Sequence, residues 1–576
     1  MERFIRTNLR LKRQILRSSR RMTAFFICLL FLNFTPANAE TLYGLAMHGN
    51  PKYGPEAAHL EYANPGAPKG GALKEAATGS FDTLNPYAIK GTAAKGLNLI
   101  YDRLMRRVWD EPFTMYPLIA ERVDVPEDRS SITFHINPKA KFHDGSAITV
   151  ADVQFSFETL KEKGRPNMRR IYRLVNDVQT TDSAITFTFG EGYDRETVMI
   201  MALMPVLSKS WWENREFEST LLEPPLSNGP YKIKSVDAGR KIIYERVPDY
   251  WAKDLLPNVG HYNFDEVSYD YFRDDTVALE AFNKGTLNFR REFNMNKWLQ
   301  AYDSEGLIKD EITHGRPERI RALIFNMRRE PFNDKHVRSA LTVAFDEDWI
   351  GKNIYYGKQK RTLSYFPNSA LAAPPTFEDG ITRREKMLRA SELLKKAGWE
   401  VVNGKRMKNG QPLAFELILS APEEEKIALN FKKSLQRLGI EMNIRVLDSA
   451  SFQQRRQEYD YDMILHHWQN SLSPGTEQLL YWGCEAADQP GRFNYAGLCD
   501  EDVDATAAAI ANAQTYDELT ELAQKLDQML LDEYMAIPLF YRGADYIAYR
   551  PPMKRPGITG IYGAVAETWW MDRPSP

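Results

Sequence analysis

His466 and His467 sit side by side, a pairing of residue types that could ligate a late first-row metal ion. Consecutive residues of a strand point to opposite faces, however, so the two imidazoles would not converge on one ion without a bulge. No metal is therefore expected, and a hydrogen bond from His466 or His467 to a ligand is the more credible chemistry. Cys484 and Cys499 have neither the spacing nor the neighbours of a metal site. Covalent and phosphate chemistry find no support. The chain contains no Gly-x-Ser-x-Gly elbow, no Gly-Lys-Ser/Thr phosphate loop, no His-Glu-x-x-His pair and no Cys-x-x-Cys pair. Asp and Glu are numerous, but a carboxylate with no partner in view is ordinarily a solvated surface charge. Neither a catalytic constellation nor a cofactor motif is expected.

The elements that must hold a site are legible first between Leu99 and Leu160. Ile132, Phe134 and Ile136 alternate with Thr133, His135 and Asn137, the period-two pattern of a strand with one buried face. His143-Asp144-Gly145-Ser146 turns the chain, and Thr149 with Asp152 three residues on approximates a capping box. Val153, Phe157 and Leu160 then fall at helical spacing. Further along, strands such as Phe415–Leu419 and Ile440–Val446 alternate with amphipathic helices such as Arg384–Lys396, and Gly439 marks a helix stop. This alternation predicts mixed α/β units.

Arg3, Arg6, Arg10, Lys12, Arg13, Arg17, Arg20 and Arg21 precede an apolar run from Met22 to Phe34, shorter than the about 20 residues of a membrane span. Ala37-Asn38-Ala39 has the small-x-small pattern of a cleavage site, so residues 1–39 are expected to be a signal peptide and Glu40 the mature start. Phe26 and Ile27 before Cys28 argue against a lipoprotein anchor, and Arg20-Arg21 leaves both Sec and twin-arginine export open. Of 75 Lys/Arg and 77 Asp/Glu, eight and one precede residue 40, leaving 67 and 76 and a net charge of −9. That acidity argues against nucleic acid or an anionic membrane as partner. The remaining 537 residues exceed one hydrophobic core and predict two or three domains. In an oxidising periplasm Cys484 and Cys499 are expected to form a disulfide across the Asp488-Gln489-Pro490-Gly491 turn region, with two buried free thiols as the alternative.

Leu99-Ile-Tyr-Asp-Arg-Leu, Pro117-Leu-Ile-Ala-Glu, Thr133-Phe-His-Ile and Lys141-Phe-His-Asp-Gly-Ser-Ala-Ile-Thr-Val-Ala-Asp-Val together resemble the signature of the peptide, opine and nickel-binding solute receptors of bacterial ABC importers. The resemblance continues through Asn228-Gly-Pro-Tyr-Lys-Ile, Val247-Pro-Asp-Tyr-Trp, Ala278-Leu-Glu-Ala-Phe, Asn326-Met-Arg-Arg-Glu-Pro-Phe-Asn-Asp, Ala397-Gly-Trp, Tyr461-Asp-Met and Ile537-Pro-Leu. Gly285-Thr-Leu-Asn288 departs from it, since the family usually ends that stretch in Asp. The resemblance implies an α/β, two-lobed periplasmic-binding-protein fold of type II, the oligopeptide-receptor class, with an extra subdomain inserted in the first lobe. Residues 40–84, 226–320 and 541–576 would form the first lobe, 85–225 the insertion and 321–540 the second lobe. It implies a monomeric receptor, not an enzyme, that captures peptides or peptide-like compounds and delivers them to an inner-membrane ABC permease. The chain is most similar to the Yej-type branch, associated with oligopeptides, microcin C-type antibiotics and muropeptides. A periplasmic hydrolase of peptides or cell-wall fragments is the alternative.

By the same resemblance the ligand lies between the lobes. Trp468, Asn470, Tyr481 and Trp482, with His466, fall in the segment of the second lobe that contacts ligand in relatives. Ser80, Phe81, Asp82 and Thr83 match the first-lobe loop beside bound peptide, and Tyr541 and Arg542 lie near the hinge return. One mismatch stands out. Many of these receptors hold the ligand's α-ammonium with an Asp shortly after a Trp, whereas Trp468-Gln-Asn-Ser-Leu-Ser-Pro474 has no acid. Either Asp82 or another acid substitutes from across the cleft, or the ligand presents no free amine there. The expectation drawn from this is that a blocked N-terminus is tolerated.

Overall fold

The computed structural model describes residues 40–572 except 303 and 375–379; the signal-peptide assignment and Cys28 lie outside them. Among the described residues no helix is long and apolar enough to cross a membrane.

The alternation read from residues 132–136 produces the strand Ser131–Ile136, with Ile132 and Phe134 fully buried. It lies at the centre of an antiparallel sheet ordered Glu40–Leu42, Ala120–Val125, Ser131–Ile136, Ala184–Phe189, Val175–Thr180. The helix Val150–Lys163 covers it, burying Val153, Phe157 and Leu160. At its start the Asp152 carboxylate accepts from the Thr149 amide (3.0 Å) and hydroxyl (2.7 Å). Residues 40–46, allotted above to the first lobe, pair instead with this inserted stretch: Glu40–Leu42 with Val123–Val125, and Leu45–Ala46 with Thr114–Met115. Their backbone groups find partners there, which sequence spacing alone did not reveal.

Two further sheets stand beside it. One runs Tyr231–Asp237, Lys241–Arg246, Glu266–Phe272, Ala72–Thr78, its last pair parallel. The other sets the returning strand Ala544–Tyr549 between Phe289–Glu292 and Ile308–Thr313. The second α/β unit has a five-stranded sheet ordered Glu441–Val446, Ala414–Leu419, Met463–Trp468, Ile320–Phe325, Ala536–Pro538. Both its faces are covered. Leu417, Leu419 and Leu465 pack into one core, and Ile418, Ile464 and Trp468 into another. The predicted helix appears as Arg383–Lys396, entered through Thr382, whose amide and hydroxyl meet the Glu385 carboxylate. Gly439 adopts φ +77°, and a Cβ there would come within 2.7 Å of the Gly404 carbonyl, so only glycine fits the stop.

The chain passes to the second unit through residues 313–320 and returns through 538–544. Hydrogen bonds also bridge the units directly: Phe113 amide to Ser473 Oγ (3.2 Å), Thr476 Oγ1 to Asp194 Oδ2 (3.0 Å), and Arg195 to Gln514 Oε1 (2.6 Å). Beside these contacts burial pushes the Glu196 carboxyl up to about 7, reinforced by Glu477 and Asp194 and opposed by Arg170 and Arg107. An open form that freed Glu196 to its ordinary value would bind that proton less tightly. Closure is therefore expected to weaken progressively as pH rises from about 4.5 to 7 and to change little beyond. Small-angle scattering at pH 5 and pH 8 checks this: the radius of gyration should be larger at pH 8, and Glu196→Gln should remove the difference. Equal radii for the parent protein would contradict it.

Candidate functional site

A cavity of about 390 Å³ opens where the first-lobe sheet, the inserted stretch, the outgoing connector and the C-terminal segment meet. Its floor comes from the parallel pair of strands, in which Leu73 lies opposite Val267 and Glu75 opposite Tyr269. Alternate residues share a sheet face, so these four side chains turn inward together. Tyr231, Tyr262 and Phe264 extend the wall, Trp109 closes it from the inserted stretch, and Arg316 enters from the connector. Tyr562 and residues 564–567 form the roof. An apolar, aromatic lining with a few placed polar groups is the usual character of a ligand pocket of this size.

The roof is tied to every wall. Tyr562 donates its amide to the Trp109 carbonyl (3.1 Å), stacks edge-on against that indole at 5.6 Å and accepts Arg107 at its hydroxyl (2.8 Å). Tyr262 donates to the Glu567 carbonyl (2.7 Å), while the Glu567 carboxylate pairs with Arg106 at 2.9 Å. Arg316 bonds the Tyr562 carbonyl and reaches Asp545 at 2.7 Å. Arg291 also reaches Asp545, at 3.2 Å, and donates to the Ala564 carbonyl. Gly563, at φ +90°, passes so close to Asp545 that a Cβ would lie 2.3 Å from Oδ2.

The cavity carries three charged side chains, and two of them are committed. Glu567 holds Arg106, and Arg316 holds Asp545. The third, Glu75, is raised above the usual carboxylate range by burial, against the opposing pull of Lys95, Arg291 and a Tyr269 hydrogen bond. No cation approaches it within ion-pair distance among the described residues.

None of the residues singled out from sequence lines this cavity. Trp468 and Trp482 are buried, 4.9 Å apart, their indole N–H groups donating to the Phe493 carbonyl and to Gln478 Oε1. Asn470 is equally internal, bridging the Tyr365 carbonyl and Gln478. Tyr481 is half-buried, with its hydroxyl on the Gln469 carbonyl. In the loop after the first-lobe strand Ser80 is exposed, Phe81 packs on Tyr271 at 4.9 Å, Asp82 accepts the Thr92 amide, and buried Thr83 accepts the Leu221 amide. Tyr541 is half-buried in the return connector, and Arg542 donates to the Glu292 carbonyl with its guanidinium 5.1 Å from the Phe293 ring.

His466 and His467 line a separate groove of about 200 Å³ with Arg321, Ser420, Glu424 and Ser449. Their ring centroids are 4.7 Å apart, so the opposite-face expectation fails at this strand end, where His466 is drawn toward Arg456 and packs edge-on against Tyr495. Burial, His467 and Arg456 push His466 down to about 3, and its Nε2 accepts from Arg456 at 2.8 Å, which occupies the lone pair a metal would need. Cys484 and Cys499 are bonded as a disulfide.

Residues 114–489 match the model of the bacterial extracellular solute-binding proteins, family 5 middle. The chain is 37% identical to the peptidoglycan-binding protein YepA of Agrobacterium fabrum, over 93% of this chain and 95% of that one. It is 34% identical to YejA of Escherichia coli K12, over 96% and 97%. Among solved structures, the open form of the periplasmic murein tripeptide-binding protein MppA superposes with a TM-score of 0.68 at 15% identity, covering 90% of this chain and 99% of that one. The architecture is thus the two-lobed type II periplasmic-binding-protein fold with an inserted subdomain, as the resemblance implied. The chain belongs to the bacterial extracellular solute-binding proteins of family 5.

Proposed function

We propose that this protein captures peptides or peptide-like compounds in the periplasm and delivers them, as a monomer, to an inner-membrane ABC permease. Residues 1–39 serve as its export signal. The observation that carries this reading is the aromatic-lined cavity beside the outgoing connector, walled by the first-lobe sheet and the inserted stretch, roofed by the C-terminal segment and holding fixed charges of both signs. Rigid aromatic walls give apolar contact to varied side chains at small entropic cost, which suits a receptor for peptides of mixed sequence. Contact with Arg316 of the connector lets ligand binding bias closure, the signal a permease can read. The relative YepA, described as peptidoglycan-binding, favours cell-wall peptides within this class.

Native mass spectrometry of the protein purified from a periplasmic extract tests the reading, with peptide or muropeptide masses expected in the bound fraction. A proven ligand at a hundredfold its dissociation constant should stabilise the protein by about 2.7 kcal/mol. Recovery of only non-peptide solutes, with no thermal shift on adding peptides, would overturn it.

A further inference from the structure

Among the described residues, every acid around the cavity except one already has a cation or a backbone amide as partner. Glu567 holds Arg106, Asp545 holds Arg291 and Arg316, and Asp82 is turned back onto the Thr92 amide in its own loop. Glu75 projects from the middle of the strand Ala72–Thr78 into the cavity, where the Tyr269 side chain of the neighbouring strand hydrogen-bonds to it. Lys95 is engaged elsewhere, its ammonium on the Ala76 carbonyl at 3.3 Å and 5.1 Å from the Tyr269 ring. Arg291 is spent on Asp545 and the Ala564 carbonyl.

An ionised carboxylate withdrawn from water without a cation is costly, so a fold that keeps one in an aromatic cavity leaves a favourable position for a ligand's positive charge. Of the surrounding rings, Tyr262, Tyr269 and Trp109 already carry Arg106, Lys95 and Arg107 over a face, and Tyr231 adds its ring to the same preference. Arg316, paired with Asp545, lies on the other side, where a ligand carboxylate or carbonyl would share its guanidinium. The segment Trp468–Pro474 contains no acid, so it leaves this role unfilled.

We propose that Glu75 is the counter-ion for an ammonium group of the bound ligand, which makes the cavity selective for peptides with a free amine. This rests on the reading of the cavity as the peptide site. It reverses the expectation that a blocked N-terminus is tolerated, because the acid missing from the second lobe is supplied by the first. A charge-assisted hydrogen bond from the ammonium to Glu75 would replace the proton that burial favours on the carboxyl.

The test uses a pool of tripeptides lacking Lys and Arg, so that the only amine is the N-terminal one, in free and N-acetylated forms. Retention by the full-length mature protein is read by native mass spectrometry and calorimetry. The free forms should bind at least tenfold more tightly, and Glu75→Gln should reduce that preference to within twofold while its melting temperature, without peptide, stays level or rises. Equal binding of both forms to the parent protein, or a preference that survives Glu75→Gln, would overturn the role of Glu75. Failure of both forms to bind the parent protein would count against the peptide reading itself. The parent protein's own discrimination needs no variant, so the test stands even if Glu75→Gln does not fold.

Discussion

Replacing Asp545 by alanine lowers the unfolding free energy by about 3 kcal/mol, the lower end of the range for breaking a buried ion pair. The side chain is 3% exposed and joins three parts of the chain. Arg316 of the outgoing connector lies at 2.7 Å, Arg291 of the first lobe at 3.2 Å, and the Ala564 amide of the roof donates at 2.9 Å. Without the carboxylate, two guanidiniums face each other with no counter-charge. Their side chains are 25% and 31% exposed, so water recovers part of the loss, which is why the lower figure applies. Burial works to raise the Asp545 carboxyl, but the Arg316 hydrogen bond, both arginines and the Ala564 amide outweigh it and hold it below its ordinary value. Its stabilisation is thus present above the ordinary aspartate range and is lost as pH falls through the depressed value. Urea unfolding at neutral pH measures the effect. A loss below about 1 kcal/mol would mean that the junction is held by packing alone.

A second large effect is expected at Cys484 and Cys499, whose bond closes a loop of sequence separation 15. In the chain-entropy model that crosslink stabilises by about 3 kcal/mol, acting chiefly on the unfolded chain. The native loop has its own supports. Asn494 donates to the Gly483 and Leu498 carbonyls, and Arg328 donates to the Asn494 carbonyl at 2.8 Å. A double Cys→Ser variant should therefore keep its near-ultraviolet circular dichroism while its denaturation midpoint drops. Matching midpoints for the two proteins, or two free thiols on alkylation of unfolded, unreduced material, would contradict the expectation.

What could be read from the sequence was what local chemistry decides. The strand at 131–136, the helix entered at Thr149, the helix stop at Gly439 and the Cys484–Cys499 bond each depend on residues near one another in the chain. The cavity depends on nothing local. Its walls come from residues 73, 75, 98, 99, 109, 231, 262, 264, 267, 269, 316, 562 and 564–567, brought together only by sheet topology. Glu75, within Ala-Leu-Lys-Glu-Ala-Ala-Thr, has the sequence appearance of a surface charge beside Lys74. Only its pairing opposite Tyr269 beneath the roof gives it another meaning. Conversely, Trp468 and Trp482 look like ligand platforms because aromatic side chains serve both purposes, and here the core takes them. The signal available for the roof was Gly560 and Gly563 flanking Ile561-Tyr562 close to the C-terminus, since glycines so spaced permit backbone to approach backbone.

A crystal structure of the full mature protein with a peptide carried through purification tests the central claim most directly. The account predicts peptide density in the cavity bounded by Tyr231, Tyr269, Trp109 and Tyr562, with a ligand nitrogen within hydrogen-bond distance of Glu75. A peptide seated instead in the groove of His466 and His467, with the cavity beneath the C-terminal roof filled by water, would contradict it.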